Sequence, residues 1–367
     1  MGRVKQQKGR KAAFCMVFSL FAVQICYASE SERLYRSAYF LGRGDTGIAV
    51  VDNHEAIHYN PAGLAKGKGI YKETVLVSPM VELSSATKDL IRKFTLENAT
   101  GADTLADEIG KNQHIGFYQT TAVVFRRAAL GVTVSNQTNL LPYLSAEQMS
   151  LPVVSASAAA NQVLHFSLAE EFFTKGLYFG TTVKYWQRSV ANLSIPLAEA
   201  SDVASQLEGD NVLNTGTGTG ADLGMMYQTQ SKRAPFSLGV QVQNVGGVAM
   251  TGATPQDKVP DLHQVVNVGA AIEPGTRLSR FKLLLDVRDL GSKTEDNTLK
   301  KIHIGAEIAI GSLTGVTGGF HHGYPSVGTY LNLYVLRFDL GMYTEEVGDR
   351  IGERPDSRFF LRIAGGF

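Results

Sequence analysis

Residues 302 to 310 read IHIGAEIAI, an apolar set of Ile302, Ile304, Ala306, Ile308 and Ile310 alternating with His303, Gly305, Glu307 and Ala309. Successive side chains of an extended strand point to opposite faces, so this period of two predicts a strand with one greasy and one polar face. The same reading holds around it. Phe281, Leu283, Leu285 and Val287 interleave with Lys282, Leu284, Asp286 and Arg288, and Phe236, Leu238, Val240 and Val242 with Ser237, Gly239, Gln241 and Gln243. Leu336, Phe338, Leu340 and Met342 face away from Arg337, Asp339, Gly341 and Tyr343. Such strands suit either a soluble antiparallel sandwich or a transmembrane barrel with lipid outside and a polar lumen.

Connection lengths separate the two. The pattern predicts fourteen strands, near residues 70–84, 113–126, 128–139, 160–173, 176–190, 216–230, 234–246, 262–273, 280–290, 300–310, 313–322, 326–334, 336–346 and 356–367. Outer connections through 85–112, 140–159, 191–215, 247–261, 291–299, 323–325 and 347–355 alternate with tight turns at Arg127, Thr174-Lys175, Ser231 to Arg233, Glu273 to Ser279, Gly311-Ser312 and around Val335. Outer-membrane barrels alternate long outer loops with short periplasmic turns, and a sandwich has no reason to. The expected fold class is all-β, a transmembrane antiparallel β-barrel.

Composition agrees with a large folded body. Of 367 residues, 44% are hydrophobic and 19% charged, with only two cysteines, which excludes a disordered chain and a disulfide-stapled mini-protein. Residues 1–28 hold five bases (Arg3, Lys5, Lys8, Arg10, Lys11) and no acid, then an apolar run from Ala12 to Ala28, the pattern of a secretory signal peptide. Both cysteines, Cys15 and Cys26, lie in that run, so the mature chain is expected to have no thiol chemistry and no disulfide. Without the run, 30 bases stand against 34 acids, and no basic field for nucleic acid exists. Beyond it no apolar stretch approaches the roughly 18 residues of a spanning helix.

Residues 36 to 65, RSAYFLGRGDTGIAVVDNHEAIHYNPAGLA, are too polar and glycine-rich for a lipid-facing strand. With Gly42, Gly47, Glu55-Ala56 and above all Tyr59-Asn60-Pro61-Ala62-Gly63-Leu64, this stretch resembles the amino-terminal region of the FadL-like outer-membrane barrels, which include fatty-acid and hydrocarbon channels and PorV-type barrels of a secretion system. The resemblance implies fourteen strands and a hatch folded into the lumen, hence 1–28 signal peptide, 29–69 hatch and 70–367 barrel. The last strand ends on Phe367, similar to the terminal signature read by barrel-assembly machinery, which implies a Gram-negative outer-membrane location. Closure also leaves no strand edge facing hydrocarbon.

The polar strand faces carry ten ionisable residues: Lys184, Asp222, Lys282, Asp286 and Arg288 in the first strands, then His303, Glu307, Arg337, Asp339 and Arg362. Interior ions are tolerable when paired or wet, so these are expected to face a lumen filled by the hatch rather than to select ions.

Several motifs tempt toward other chemistry. His54-Glu55-Ala56-Ile57-His58 matches H-E-x-x-H, but Asn60-Pro61 ends any helix within a turn, so a zinc peptidase is not expected. His321-His322 is expected not to chelate, because neighbours on a regular strand point to opposite faces. Arg43-Gly44-Asp45 falls inside the hatch, and Gly216-Thr217-Gly218-Thr219-Gly220 lacks the spacing of a dinucleotide loop and reads as the start of a strand or a bend in the wall. Trp186, Tyr330 and Tyr334 are expected at the membrane interfaces. No catalytic set, metal site or cofactor is predicted.

Two long connections carry helical spacing: Thr87 to Leu96, with Leu90, Ile91 and Phe94 on one side, and Ile195 to Leu207, with Leu197, Val203 and Leu207. Two functions follow. The first is passive uptake of a hydrophobic compound, such as a long-chain fatty acid, captured by these loops and passed by the hatch. The second is a closed scaffold whose loops hold a secreted or surface protein. The expected surroundings are outer-membrane lipid in either case.

Overall fold

The computed structural model describes residues 35–366 apart from 67–68, 97–100, 146–150, 203–212, 232, 255–258, 276–278, 294–296 and 349. The predicted signal segment with Cys15 and Cys26, and Phe367, lie outside the described residues.

The strands are β1 (Tyr71–Val77), β2 (Met80–Ser84), β3 (Gln113–Phe125), β4 (Ala128–Ser145), β5 (Leu151–Glu171), β6 (Leu177–Pro196), β7 (Leu213–Gln228) and β8 (Phe236–Gln243). They continue as β9 (Thr251–Gly252), β10 (Val265–Ile272), β11 (Ser279–Val287), β12 (Ile302–Ile310), β13 (Thr314–His321), β14 (Tyr324–Leu333), β15 (Leu336–Glu346) and β16 (Pro355–Gly366). β1 and β2 are halves of one stave interrupted at Ser78-Pro79, where proline cannot donate to the ladder, and both pair with β3 and β16. β9 is two residues long and pairs only with β7. The wall is therefore a closed antiparallel barrel of fourteen staves, shut by registers such as Val75↔Gly366 and Leu361↔Val81.

Its surface is inverted relative to a soluble protein. Leu283, Leu285, Ile304, Ile308, Val316, Phe320, Leu340 and Leu361 are exposed outside, while alternate residues such as Asp286, His303, Asp339 and Arg362 are buried inside. A closed barrel with an apolar belt satisfies every ladder group and presents hydrocarbon to hydrocarbon, as a bilayer requires.

Connections at one end span two to seven residues. The other end carries α3 (Ser85–Leu96) and α4 (Gly101–Ala106), numbered after the helical turns α1 (Ala38–Leu41) and α2 (Ala56–Tyr59) near the amino terminus. Two expectations are corrected here. The loop expected over 140–159 is mostly ladder, because β4 and β5 stay paired up to Ser145↔Leu151; β-branched Val153 and Val154 and small Ala156 and Ala158 suit a strand packed against the cap. The helix expected from Ile195 is the end of β6 followed by a 3-10 turn at Leu197–Asp202, since Pro196 has no N–H and the Ile195 to Leu193 stretch stays in the ladder with β5. Its remainder lies outside the described residues.

Candidate functional site

Residues 35 to 66 run inside the barrel. This one stretch meets β2 through Arg36, β14 through Gly42, β12 and β13 through Gly44, β8 and β10 through Ile48, β16 through Glu55, β4 and β5 through His58, and β6 and β7 through Pro61. Only the interior of a closed wall offers one short segment so many partners.

The wall receives it on cross-strand pairs of glycines. Gly180 and Gly224 are register partners on β6 and β7; a Cβ on Gly180 would stand 2.4 Å from the Pro61 carbonyl carbon, and one on Gly224 2.1 Å from Asn60 Oδ1. Gly239 and Gly269 pair across β8 and β10 beneath Ile48, and Gly305 and Gly319 pair across β12 and β13 beneath Arg43 and Gly44. A side chain at Gly180, Gly239, Gly305 or Gly319 would enter backbone atoms of the inner segment, and one at Gly224 would enter the Asn60 and Pro61 side chains, so glycine serves close approach here rather than turning.

The Tyr59 to Leu64 motif has a physical reading. Asn60, fully buried, donates from Nδ2 to the carbonyls of Ile48 (2.9 Å), Met225 (3.2 Å) and Val240 (3.3 Å), and its Oδ1 accepts from the Ala62 N–H, capping the 3-10 turn Pro61–Ala65. Pro61 takes the first helical position, where its missing N–H costs nothing. Gly63 lies where a Cβ would be 2.1 Å from the Val51 carbonyl oxygen, Ala62 and Leu64 are buried in the core, and the Tyr59 hydroxyl donates to Asp45.

Charge completes the docking. Arg362 bridges Glu55 of the inner segment (3.3 Å) and Asp339 on β15 (2.7 Å), Arg337 holds the other side of Asp339 (2.7 Å), and the Tyr39 ring lies under both guanidinium groups. Arg43 pairs with Glu307, which Lys282 also approaches (3.7 Å), and Arg288 reaches Asp45 (3.4 Å). Asp286 accepts the N–H groups of Gly47 and Ile48, His303 contacts the Gly44 carbonyl, and Lys184 pairs with Asp222 (2.7 Å) on the wall. Sequence reading missed the inner-segment partners Arg36 and Asp45 and the glycine pairs; the alternating parity of each strand was the available signal.

His54 and His58 diverge. The four-residue α2 cannot present them on one face: His54 turns to Glu73 on β1 (3.1 Å), whereas His58 stacks on Tyr35 with centroids 3.8 Å apart and meets Thr133 Oγ1 at 3.1 Å. Burial would lower the His54 pKa, but Glu73 and Glu55 outweigh it and hold the imidazole well above 6.5. Burial, with His165, Lys184 and His54 adding positive neighbours, holds His58 well below 6.5.

Other expectations are corrected. Trp186 does not sit at a membrane interface; it shares the inward parity of Lys184 and packs on Val163, Val248 and Leu262 inside the wall. Tyr330 also points inward, donating to Glu307, with Arg337 over its ring. Tyr334 projects fully exposed from the β14–β15 turn. The glycine run 216–220 lies inside β7 rather than at its start: Gly216, Gly218 and Gly220 give room for Val248, Met250 and Val259 of the long β8–β10 connection, which folds against the inner wall. His321 and His322 do not face apart, because β13 ends at His321 and His322 takes a left-handed φ of 49° that brings their rings into a stack at 4.3 Å.

Between the loop-rich end and the inner segment the lumen is layered. Outermost, Leu90 and Leu105 from α3 and α4 pack on Val154, Ala156, Ile195 and Leu197. Next come Ala159, Val190 and Val259, then Val163, Trp186, Val248 and Leu262, with Met250 against both groups. Below Trp186 lies a cavity of about 70 Å³ lined by polar groups including His58, His165, Lys184, Asp222 and Asn244.

No family model matches the sequence, and no curated protein does. Solved structures match. The toluene transporter TodX of Pseudomonas putida superposes with a TM-score of 0.52 at 11% identity, covering 90% of this chain and 97% of that one. A TodX mutant described as a monoaromatic hydrocarbon channel gives 0.50 at 11% identity, covering 90% and 98%. The toluene transporter TbuX of Ralstonia pickettii gives 0.48 at 15%, covering 89% and 96%. At such identities the TodX superpositions speak for fold alone, and this chain shares the barrel fold of TodX.

Proposed function

We propose that the chain is an outer-membrane channel that takes up a hydrophobic compound from its loop-rich end. The observation that carries this reading is the stack of apolar layers leading from Leu90 and Leu105, through Met250, down to Trp186 above the inner segment. Apolar side chains stacked above the inner segment have value for an apolar passenger, whose burial contributes roughly 25 cal/mol per Å². The shared fold with TodX supports the same class, and a monoaromatic or a fatty acid both fit it. No chemical step is involved; the passenger diffuses, and the inner segment between residues 35 and 66 acts as the gate. The apolar belt holds the barrel in outer-membrane lipid, and the closing strand is the element that assembly machinery would engage.

A second reading, a closed scaffold for a secreted or surface protein, is favoured by one observation. The cavity between Trp186 and His58 is polar and about 70 Å³, smaller than the roughly 150 Å³ that accommodates benzene, so a passenger needs the inner segment to move. Gentle purification from native outer membranes, followed by mass spectrometry of co-purifying lipophilic molecules and proteins, separates the two. A stoichiometric apolar molecule that is lost from Leu90→Asp with Leu105→Asp supports the channel; a stoichiometric secreted protein without such a molecule overturns it.

A further inference from the structure

One corner of the inner wall gathers three histidines and two carboxylates, donors that the apolar route does not use. His303 on β12 and His321 on β13 occupy neighbouring positions of one ladder, one step beyond the Ile304↔Phe320 pair. His322 stacks on His321, Glu345 on β15 meets His321 Nε2 at 2.9 Å and His322 Nδ1 at 3.3 Å, and Asp45 of the inner segment closes the group. Candidate ligand atoms of Asp45, His303 and His321 all lie within 4.8 Å of one another, as do those of His321, His322 and Glu345, and all five residues are buried. We propose that these residues form a binding site for a divalent transition-metal ion of the zinc type, which clamps the inner segment to the barrel wall.

Distances come first. Donors about 2.0–2.2 Å from a tetrahedral zinc stand roughly 3.3–3.6 Å apart, so groups already within 4.8 Å need only side-chain adjustment. Orientation is the second argument. The Gly44 carbonyl, 2.8 Å from His303 Nδ1, can only accept, which puts the proton on Nδ1 and makes Nε2 the coordinating atom. Glu345, 2.9 Å from His321 Nε2 and 3.3 Å from His322 Nδ1, faces both rings as the carboxylate ligand of the second trio. A carbonyl or carboxylate on the far ring nitrogen is the usual outer partner of a metal-bound histidine.

The backbone supplies the third argument. The His321↔Tyr324 pair leaves His322-Gly323 as a two-residue hairpin loop with φ of 49° and 81°, a turn that asparagine or aspartate followed by glycine makes most easily. Asp45 also holds a left-handed φ, of 61°. Two of the five donors thus sit in conformations that non-glycine residues adopt sparingly and that aim them into the cluster. Arg36 faces Glu345 at 3.1 Å and Arg288 faces Asp45 at 3.4 Å, so the carboxylates are already balanced and the imidazoles must dominate binding. Nitrogen donors select zinc, nickel or copper over calcium and magnesium.

The test uses the full barrel in detergent, stripped with chelator, titrated with zinc chloride, desalted and assayed for metal per chain. About one zinc per chain and a raised thermal midpoint are expected, with no uptake from calcium chloride. His303→Asn combined with His321→Asn removes binding, whereas His165→Asn, on β5, retains it. His322→Asn creates the favoured Asn-Gly turn, so it folds, and it weakens zinc at least tenfold. Zinc content equal in wild type and the double variant, or unaffected by His322→Asn, overturns the site.

Discussion

Gly180 and Gly224 face each other across β6 and β7, and Asn60 with Pro61 occupies the space that their side chains would fill. The contact is with backbone as well as side chain, so it cannot be relieved by a rotamer change. Gly180→Val therefore displaces Pro61 while leaving the ladder, which valine favours, intact. The expected result is a barrel that still shifts mobility on heating but leaks small solutes when reconstituted, with overpacking of about 1–3 kcal/mol directed at the inner segment. A sealed vesicle would mean that the segment does not close the lumen.

Arg362 ties the segment to the wall electrostatically. Arg362→Met leaves Glu55 and Asp339 buried without their shared cation, and loss of one partner of a buried pair costs about 3–5 kcal/mol. Glu55→Gln in the same chain removes one stranded charge and should recover part of the loss. Thermal midpoints of the two single variants and the double form a cycle, and strict additivity would deny the coupling.

Two histidines of the segment respond to pH with opposite signs. His58 is held neutral by burial beside His165 and Lys184, so the folded state binds its proton less readily than the unfolded chain. Its contribution is intact above about pH 6.5 and is lost as pH falls below that value. His54, held above 6.5 by Glu73 and Glu55, contributes fully below about pH 6.5 and loses that contribution as pH rises through its folded-state value. Hydrogen exchange of peptides from 35 to 66 should quicken at pH 5, and His58→Asn should abolish that response. A pH 5 response that persists in His58→Asn would assign it elsewhere.

Most of the fourteen staves are legible because they obey a period of two with a lipid face and a lumen face, as Ile302–Ile310 does, and tertiary packing reinforces rather than overrides that pattern. What stayed hidden was what the inner face touches. Gly216 to Gly220 reads as punctuation in a sequence, yet it makes a trough for Val248 and Met250, because the same missing Cβ serves turning and close approach. Residue type alone puts Trp186 at the interface, yet its parity with Lys184 puts it inside; parity outranks propensity in a closed wall. His321-His322 reads as one regular strand, and the signal for the hairpin that reorients His322 is the following Gly323.

Trp186 is the single tryptophan of the chain, which makes it a clean reporter of the lumen. Its ring is buried, with Lys184 Nζ 5.2 Å from its centre on one side and Val163, Val248 and Leu262 around it. A passenger descending the apolar layers reaches this ring before it meets His58 and the inner segment. Titration of the detergent-solubilised barrel with toluene, and separately with a long-chain fatty acid, should therefore change Trp186 emission in a saturable way for the accepted class. The change should shrink at least tenfold in apparent affinity when Leu90→Asp and Leu105→Asp place charge in the outermost layer, because an apolar ligand loses its first burial site. A Trp186 signal indifferent to both compounds, in a barrel whose heat-shifted mobility proves it folded, would remove the route from the loop-rich end and leave the scaffold reading in its place.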